Sequence, residues 1–165
     1  MPARRHIRLT FIDTGESVTA EMLDEEAPKT CQMVWERLPF EQDLIHGRYS
    51  GMELFVLLDH PRPAPPENQT QLPLPGEVLY WYADDTSVTG GGKPVAEICI
   101  IYGRGVTLRG PEGMPSHGNL FARIPGDWKY DWIPFRDASR GVRTAGPARL
   151  RIERVEGSYP SAAQR

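Results

Sequence analysis

His46, Arg48, Tyr49, Glu53, Tyr82, Tyr102, Asn119 and Phe121 are the side chains in this chain whose types suit a cleft for a small ligand. A guanidinium can grip a carboxylate with two parallel hydrogen bonds. Tyrosine and asparagine add orienting hydrogen bonds at the edge of an apolar cleft, and Phe121 supplies apolar wall. Arg48 is therefore the natural anchor, and the partner this set implies is a small molecule carrying a carboxylate or an amide. The plainer reading stands beside it: the tyrosines are also ordinary half-buried strand residues, and Asn119 suits a turn. Residue types leave open whether such a cleft would bind or catalyse.

Other chemistries find less support. His46, His60, His117 and Glu67 could meet around a metal, but no H-x-H, H-x-x-x-H or H-E-x-x-H spacing exists, so no metal site is expected. Ser50, in Tyr49-Ser50-Gly51, lacks the G-x-S-x-G of a nucleophile elbow. Gly90-Gly91-Gly92 lacks the strand-then-helix setting of a phosphate cradle and reads as a turn. No cofactor is expected. Cys31 and Cys99 lie within apolar patterned segments and not in a C-x-x-C pair, which makes them buried free thiols of a reducing compartment.

The elements that must position these residues are mostly strands. Residues 6–12 alternate Ile7, Leu9 and Phe11 with Arg8 and Thr10, the period of a strand with one buried face. Turn residues 13–16 and a second alternating run, 17–23, complete a hairpin. A helix is expected over 28–38, with Pro28 in its first turn, Cys31, Val34, Trp35 and Leu38 on one face, and Pro39 ending it. Residues 52–58 are apolar apart from Glu53 and read as a buried strand. Residues 61–75 read as an extended loop, and 78–82, 95–102 and 120–124 as further strands. In 78–82, Trp81 should face away from Tyr80 and Tyr82. Residues 103–118 read as a long loop, 127–138 as a short helix placing Trp128 and Trp132 one turn apart, 149–155 as the last strand, and the stretch after about 157 as a frayed tail.

The 165 residues suit one domain, 1–165, large enough to bury a core without staples. Nineteen Lys plus Arg against 22 Asp plus Glu give a net charge of -3, with no basic excess to attract nucleic acid or an anionic membrane. No signal-peptide or membrane-spanning run is present, so a cytoplasmic protein is expected. The 16 Gly and 16 Pro fall between short β-branched runs, the distribution of a mainly β chain with many turns.

The order hairpin, helix, strands, short helix, last strand resembles that of cyclophilins. Ala20-Glu21-Met22-Leu23 followed by Ala27-Pro28-Lys29-Thr30 is similar to their E-L-F strand end and P-K-T helix start, and Leu120-Phe121-Ala122-Arg123-Ile124 to their V-F-G-K-V strand. His46-Gly47-Arg48 resembles, with an inserted glycine, the F-H-R segment whose arginine is catalytic there. More closely, Ala27-Pro28-Lys29-Thr30, Trp35, Leu38-Pro39, His46-x-Arg48-Tyr49-Ser50-Gly51, Glu67-Asn68-x-Thr70, Pro75-Gly76-Glu77, Tyr102-Gly103 and Asn119-x-Phe121-Ala122 together resemble a bacterial family of cyclophilin-like proteins, domain of unknown function 3830, from about residue 7 to about residue 155. What this implies is a closed, mainly β cyclophilin-like barrel with one clear helix and one short one; the family brings no activity with it.

The cyclophilin likeness also raises peptidyl-prolyl isomerisation. There an arginine, Arg48 in this chain, would donate to the prolyl nitrogen and weaken the resonance behind a barrier of roughly 18–20 kcal/mol. The resemblance departs at this point, because Tyr49-Ser50-Gly51 stands where cyclophilins continue to Q-G-G-D. A further alternative is a non-catalytic interaction module, with Trp35, Trp81, Trp128 and Trp132 partly at a subunit interface of a homo-oligomer.

Overall fold

The computed structural model describes residues 4–84, 92–110 and 113–156. The alternation in the first hairpin produces β1 (His6–Phe11) and β2 (Ser17–Met22), which pair antiparallel, with Ile7, Leu9 and Phe11 buried. Then come α1 (Pro28–Arg37), β3 (Phe40–His46), β4 (Glu53–Leu57), the two-residue β5 (Gln69–Thr70), β6 (Glu77–Ala83), β7 (Val95–Ile101), β8 (Gly118–Arg123), α2 (Ile133–Ala145) and β9 (Ala148–Val155). Eight antiparallel strands run in the order β2-β1-β9-β3-β4-β7-β6-β8, and β2 meets β8 through Glu21 opposite Arg123 and Met22 opposite Ala122. That last pairing closes the sheet into a barrel and removes its edges. β5 lies outside the ring, paired to β8. Only Gly92 of the expected glycine turn falls within the described residues, and the expected tail lies outside them.

The barrel is filled from every wall. Leu9, Leu44, Leu54, Val56, Tyr80, Ile98, Ile100, Phe121, Leu150 and Ile152 share one buried cluster, each large aliphatic contributing about 1.5–3 kcal/mol by leaving water. The helices lie at opposite ends of β1. Arg5, beside its start, reaches Gln32 and stacks over Trp35 of α1, whereas Phe135 of α2 meets Phe11 at its end with ring centroids 5.2 Å apart. No helix among the described residues is long and apolar enough to cross a membrane.

Two elements differ from the sequence expectation. β3 has no apolar alternation at its start, because Glu41 and Asp43 point to solvent and pair with Arg151 and Arg149 across β9 at 2.6 and 3.0 Å. Cross-strand charge, which a hydrophobic pattern does not register, marks this strand. The second helix runs over Ile133–Ala145, not 127–138, and is longer than α1. Pro134 occupies its first turn, where a missing N–H costs nothing, so the proline starts the helix instead of interrupting it. Trp132 stands at its N-cap and Trp128 precedes it.

β6 and β7 are buried on both faces. Tyr80 points into the barrel, and Trp81 points outward with Leu79, Cys99, Ile101 and Leu120. Val106 and Leu108, from the segment 103–117, cover this outer cluster. Double burial explains why these strands read as nearly continuous apolar runs. It also makes any charged side chain under the covering segment conspicuous.

Candidate functional site

Two charged residues lie there. Glu53, the one charge in an apolar run, starts β4 and is only 5% exposed; Glu97 interrupts β7. Both face outward, on either side of Cys99, which is 1% exposed. The Cys99 thiol donates toward Glu97 Oε2 at 3.9 Å and also bonds the Glu53 carboxyl, to which Ser50 adds a hydrogen bond. Burial raises the pKa of Glu53. Burial, reinforced by the negative charge of Glu53, pushes Glu97 up to about 8. Among the described residues no ion pair involves either carboxyl. Two carboxyls so placed resist ionising together, and near neutral pH Glu97 keeps its proton. Burial, then the two carboxyls, drives the Cys99 thiol well above its usual range, so it is not a thiolate nucleophile.

The turn 47–52 shapes the approach to these groups. Gly47 leaves room for Glu53: a Cβ at Gly47 would stand 2.7 Å from Glu53 Oε2. The Ser50 carbonyl accepts from the Thr107 amide at 3.2 Å, and Ser50 Oγ from the Arg109 amide at 3.1 Å. Ser50 therefore fastens the turn to the covering segment while donating to Glu53. Between turn, segment and sheet lies a cavity of about 220 Å³. Phe55, Trp81 and Leu108 form apolar wall, and the Trp81 indole N–H is held by Ser116 Oγ at 2.6 Å. Arg48, Tyr49 and Arg109 stand at the exposed rim. Arg48 has no hydrogen bond or ion pair among the described residues, whereas Arg109 Nη1 donates to the Gly113 carbonyl at 2.8 Å.

The structure thus brings His46, Arg48, Tyr49 and Glu53 to one pocket. Arg48 belongs to the turn after β3 and not to a strand. His46 ends β3 with its Nδ1 2.7 Å from the Gly47 carbonyl, which can only accept, so Nδ1 carries a proton; Nε2 lies 2.7 Å from the Tyr102 hydroxyl. Tyr102 is itself buried against the barrel core and reaches the site through His46. The other three candidates lie elsewhere. Phe121 is fully buried inside the barrel. Tyr82 donates to Asp84 at 2.5 Å. Asn119 ties α1 to the 61–75 segment, donating to Thr30 Oγ1 at 3.0 Å and to the Pro65 carbonyl at 2.8 Å. Glu67 completes that tie by accepting from the Thr30 amide and hydroxyl, both at 2.8 Å.

Ser50, Trp81, Glu97, Cys99 and Arg109 complete the pocket without having been candidates for the ligand cleft. For Glu97 a signal was available, since a lone acid inside an apolar strand must have a neutral form or a partner. Among the described residues no three His, Cys, Asp or Glu side chains gather in a way that could hold a metal. A larger groove of about 760 Å³ lies between the first hairpin and the start of α2. Its acids are occupied, Glu21 by Arg4 at 2.9 Å and Asp131 by the Asp127 amide at 2.6 Å. The smaller pocket is therefore the better site.

The family model of proteins of unknown function, DUF3830, matches residues 9–152. The chain belongs to the DUF3830 family. Its barrel is also similar to two solved structures. One is McbB in complex with tryptophan, with a TM-score of 0.66 and 18% identity over 94% of this DUF3830 chain and 46% of McbB. This chain thus spans about half the length of McbB. The other is the solution structure of the hypothetical protein AF2241 from Archaeoglobus fulgidus, with a TM-score of 0.55 and 19% identity over 93% of this chain and 96% of that one. No curated protein matches in sequence. At these identities the likeness concerns the fold alone, a closed β-barrel, and does not transfer a site.

Proposed function

We propose that this DUF3830 protein binds a small molecule carrying a carboxylate or amide in the outer-face pocket, with Arg48 as anchor. The observation that carries this reading is a guanidinium with no partner among the described residues, at the mouth of a partly apolar cavity of about 220 Å³. Its free donors match a planar carboxylate in two parallel hydrogen bonds. Phe55, Trp81 and Leu108 offer apolar contact for the remainder of the ligand, and Tyr49, 54% exposed, offers a further hydroxyl at the rim. That McbB is described with bound tryptophan supports small-molecule binding on a related barrel. The free thiols of Cys31 and Cys99 suit a reducing compartment, and we place the protein in the cytoplasm.

The test is a thermal-shift screen of carboxylates and amides against the wild-type protein and Arg48→Ala. Binding to the folded state raises the melting temperature by mass action. The expected result is a shift with at least one such compound that the variant loses. A wide screen with no shift, or shifts that Arg48→Ala leaves intact, overturns the reading.

A further inference from the structure

The pocket is electrically two-sided. At its exposed rim stand the guanidinium groups of Arg48 and Arg109, and on its inner side the carboxyls of buried Glu53 and half-buried Glu97. The other titratable side chains lining it are His46 and Tyr49 from the chain around β3 and Cys99 from β7; β6 contributes only Trp81, which does not titrate. Buried acids in proteins are ordinarily matched by a cation or by several strong donors. Here, among the described residues, the donors are the Ser50 hydroxyl and the Cys99 thiol, neither of them charged. A ligand bearing only a carboxylate would engage the rim and leave the acids unmatched. A ligand bearing only an amine would do the reverse.

We infer that the ligand is a zwitterion of the α-amino-acid type, its carboxylate at Arg48 on the rim and its ammonium toward Glu97 and Glu53, with its side chain against Phe55, Trp81 and Leu108. This rests on the reading of the pocket as a carboxylate site and adds the cationic half. An ammonium beside Glu97 favours the ionised acid. Because Glu97 holds its proton up to about pH 8 in the free protein, binding at neutral pH releases a proton. The only bond broken is the Glu97 carboxyl O–H, whose proton is taken up by the buffer base.

Two matched trios test the inference by calorimetric titration of the full chain at neutral pH: L-phenylalanine, hydrocinnamate and phenethylamine, then L-leucine, isocaproate and isoamylamine. In at least one trio the amino acid is expected to bind about tenfold or more tighter than the acid or the amine alone. Its binding heat should vary with the ionisation enthalpy of the buffer, reporting the released proton. Glu97→Gln should remove the tenfold advantage and the proton release, and a cooperative urea melt near pH 4 with the wild-type midpoint shows that the variant is folded. If the acids bind as tightly as the amino acids, the zwitterion inference fails and the carboxylate site stands. If no member of either trio binds, both fail.

Discussion

The Cys99 thiol sits 3.9 Å from Glu97 Oε2 on the outer face of β7, a weak donor facing an acid that forms no ion pair among the described residues. Burial and the nearby charge of Glu53, which outweigh the opposing Cys99 hydrogen bond, set how Glu97 responds to pH. The unfolded chain ionises Glu97 near the ordinary glutamate value of about 4.3, whereas the folded chain keeps its proton until about pH 8. Across this window the native state binds more protons than the unfolded one, so stability falls as pH rises. Glu97→Gln, which cannot ionise, should flatten the fall. We expect the variant to equal wild type near pH 4 and to exceed it by on the order of 1–3 kcal/mol at pH 8 to 9. Urea melts at several pH values measure this directly.

Gly47 owes its place to Glu53. With Glu53 Oε2 only 2.7 Å from where a Cβ would stand, Gly47→Ala must push the carboxylate deeper or sideways. The displaced atom is the end of a flexible side chain, so the stability cost should stay under about 1 kcal/mol. The pocket is changed more than the fold. The chemical shift of the Glu53 side-chain carboxyl should move, together with its pH profile.

Glu67 caps α1 from a distant loop. It accepts from the Thr30 amide and hydroxyl and from the Lys29 amide at 3.2 Å. Burial acts to raise its pKa, but these hydrogen bonds and the Lys29 charge outweigh it and hold the carboxyl below the usual range. Its contribution is therefore present above the unfolded pKa and lost as pH falls through the lower folded one. Glu67→Gln should cost about 1 kcal/mol at pH 7, the usual worth of a helix cap, and little near pH 2. Chemical denaturation at the two pH values separates these outcomes.

Both cysteines should be silent toward thiol reagents in the native state. Cys31 is buried against the Phe121 carbonyl, to which its thiol donates at 3.3 Å, and burial pushes it up to about 12. Cys99 is likewise driven well above its usual range, by burial and then by the two carboxyls. Because the thiolate is the reactive form, colorimetric titration should find neither group until the protein is unfolded, and then both.

The fold was legible where one face of an element is buried. The alternation in 6–12, the apolar face of α1 and the opposed directions of Tyr80 and Trp81 all follow from periodicity. β3 was not legible, because its signal lies in Glu41 and Asp43 pairing with arginines some 110 residues away. The start of α2 was misplaced because Pro134 breaks a helix interior but favours a first turn. Half of the candidate pocket could be read from the short stretch His46 to Glu53, whose members are near in sequence. The other half, Trp81, Glu97 and Arg109, comes from three separate segments that only the barrel and its covering segment bring together.

The most direct test of Arg48 and its pocket is to map where a small carboxylate lands, by titrating hydrocinnamate into isotopically labelled protein and following the backbone amides. The account expects Gly47, Arg48, Ser50, Glu97 and Arg109 to shift together in wild type and to stay still in Arg48→Ala. Shifts centred instead on His6, Thr19 and Asp131, in the larger groove beside α2, would contradict it.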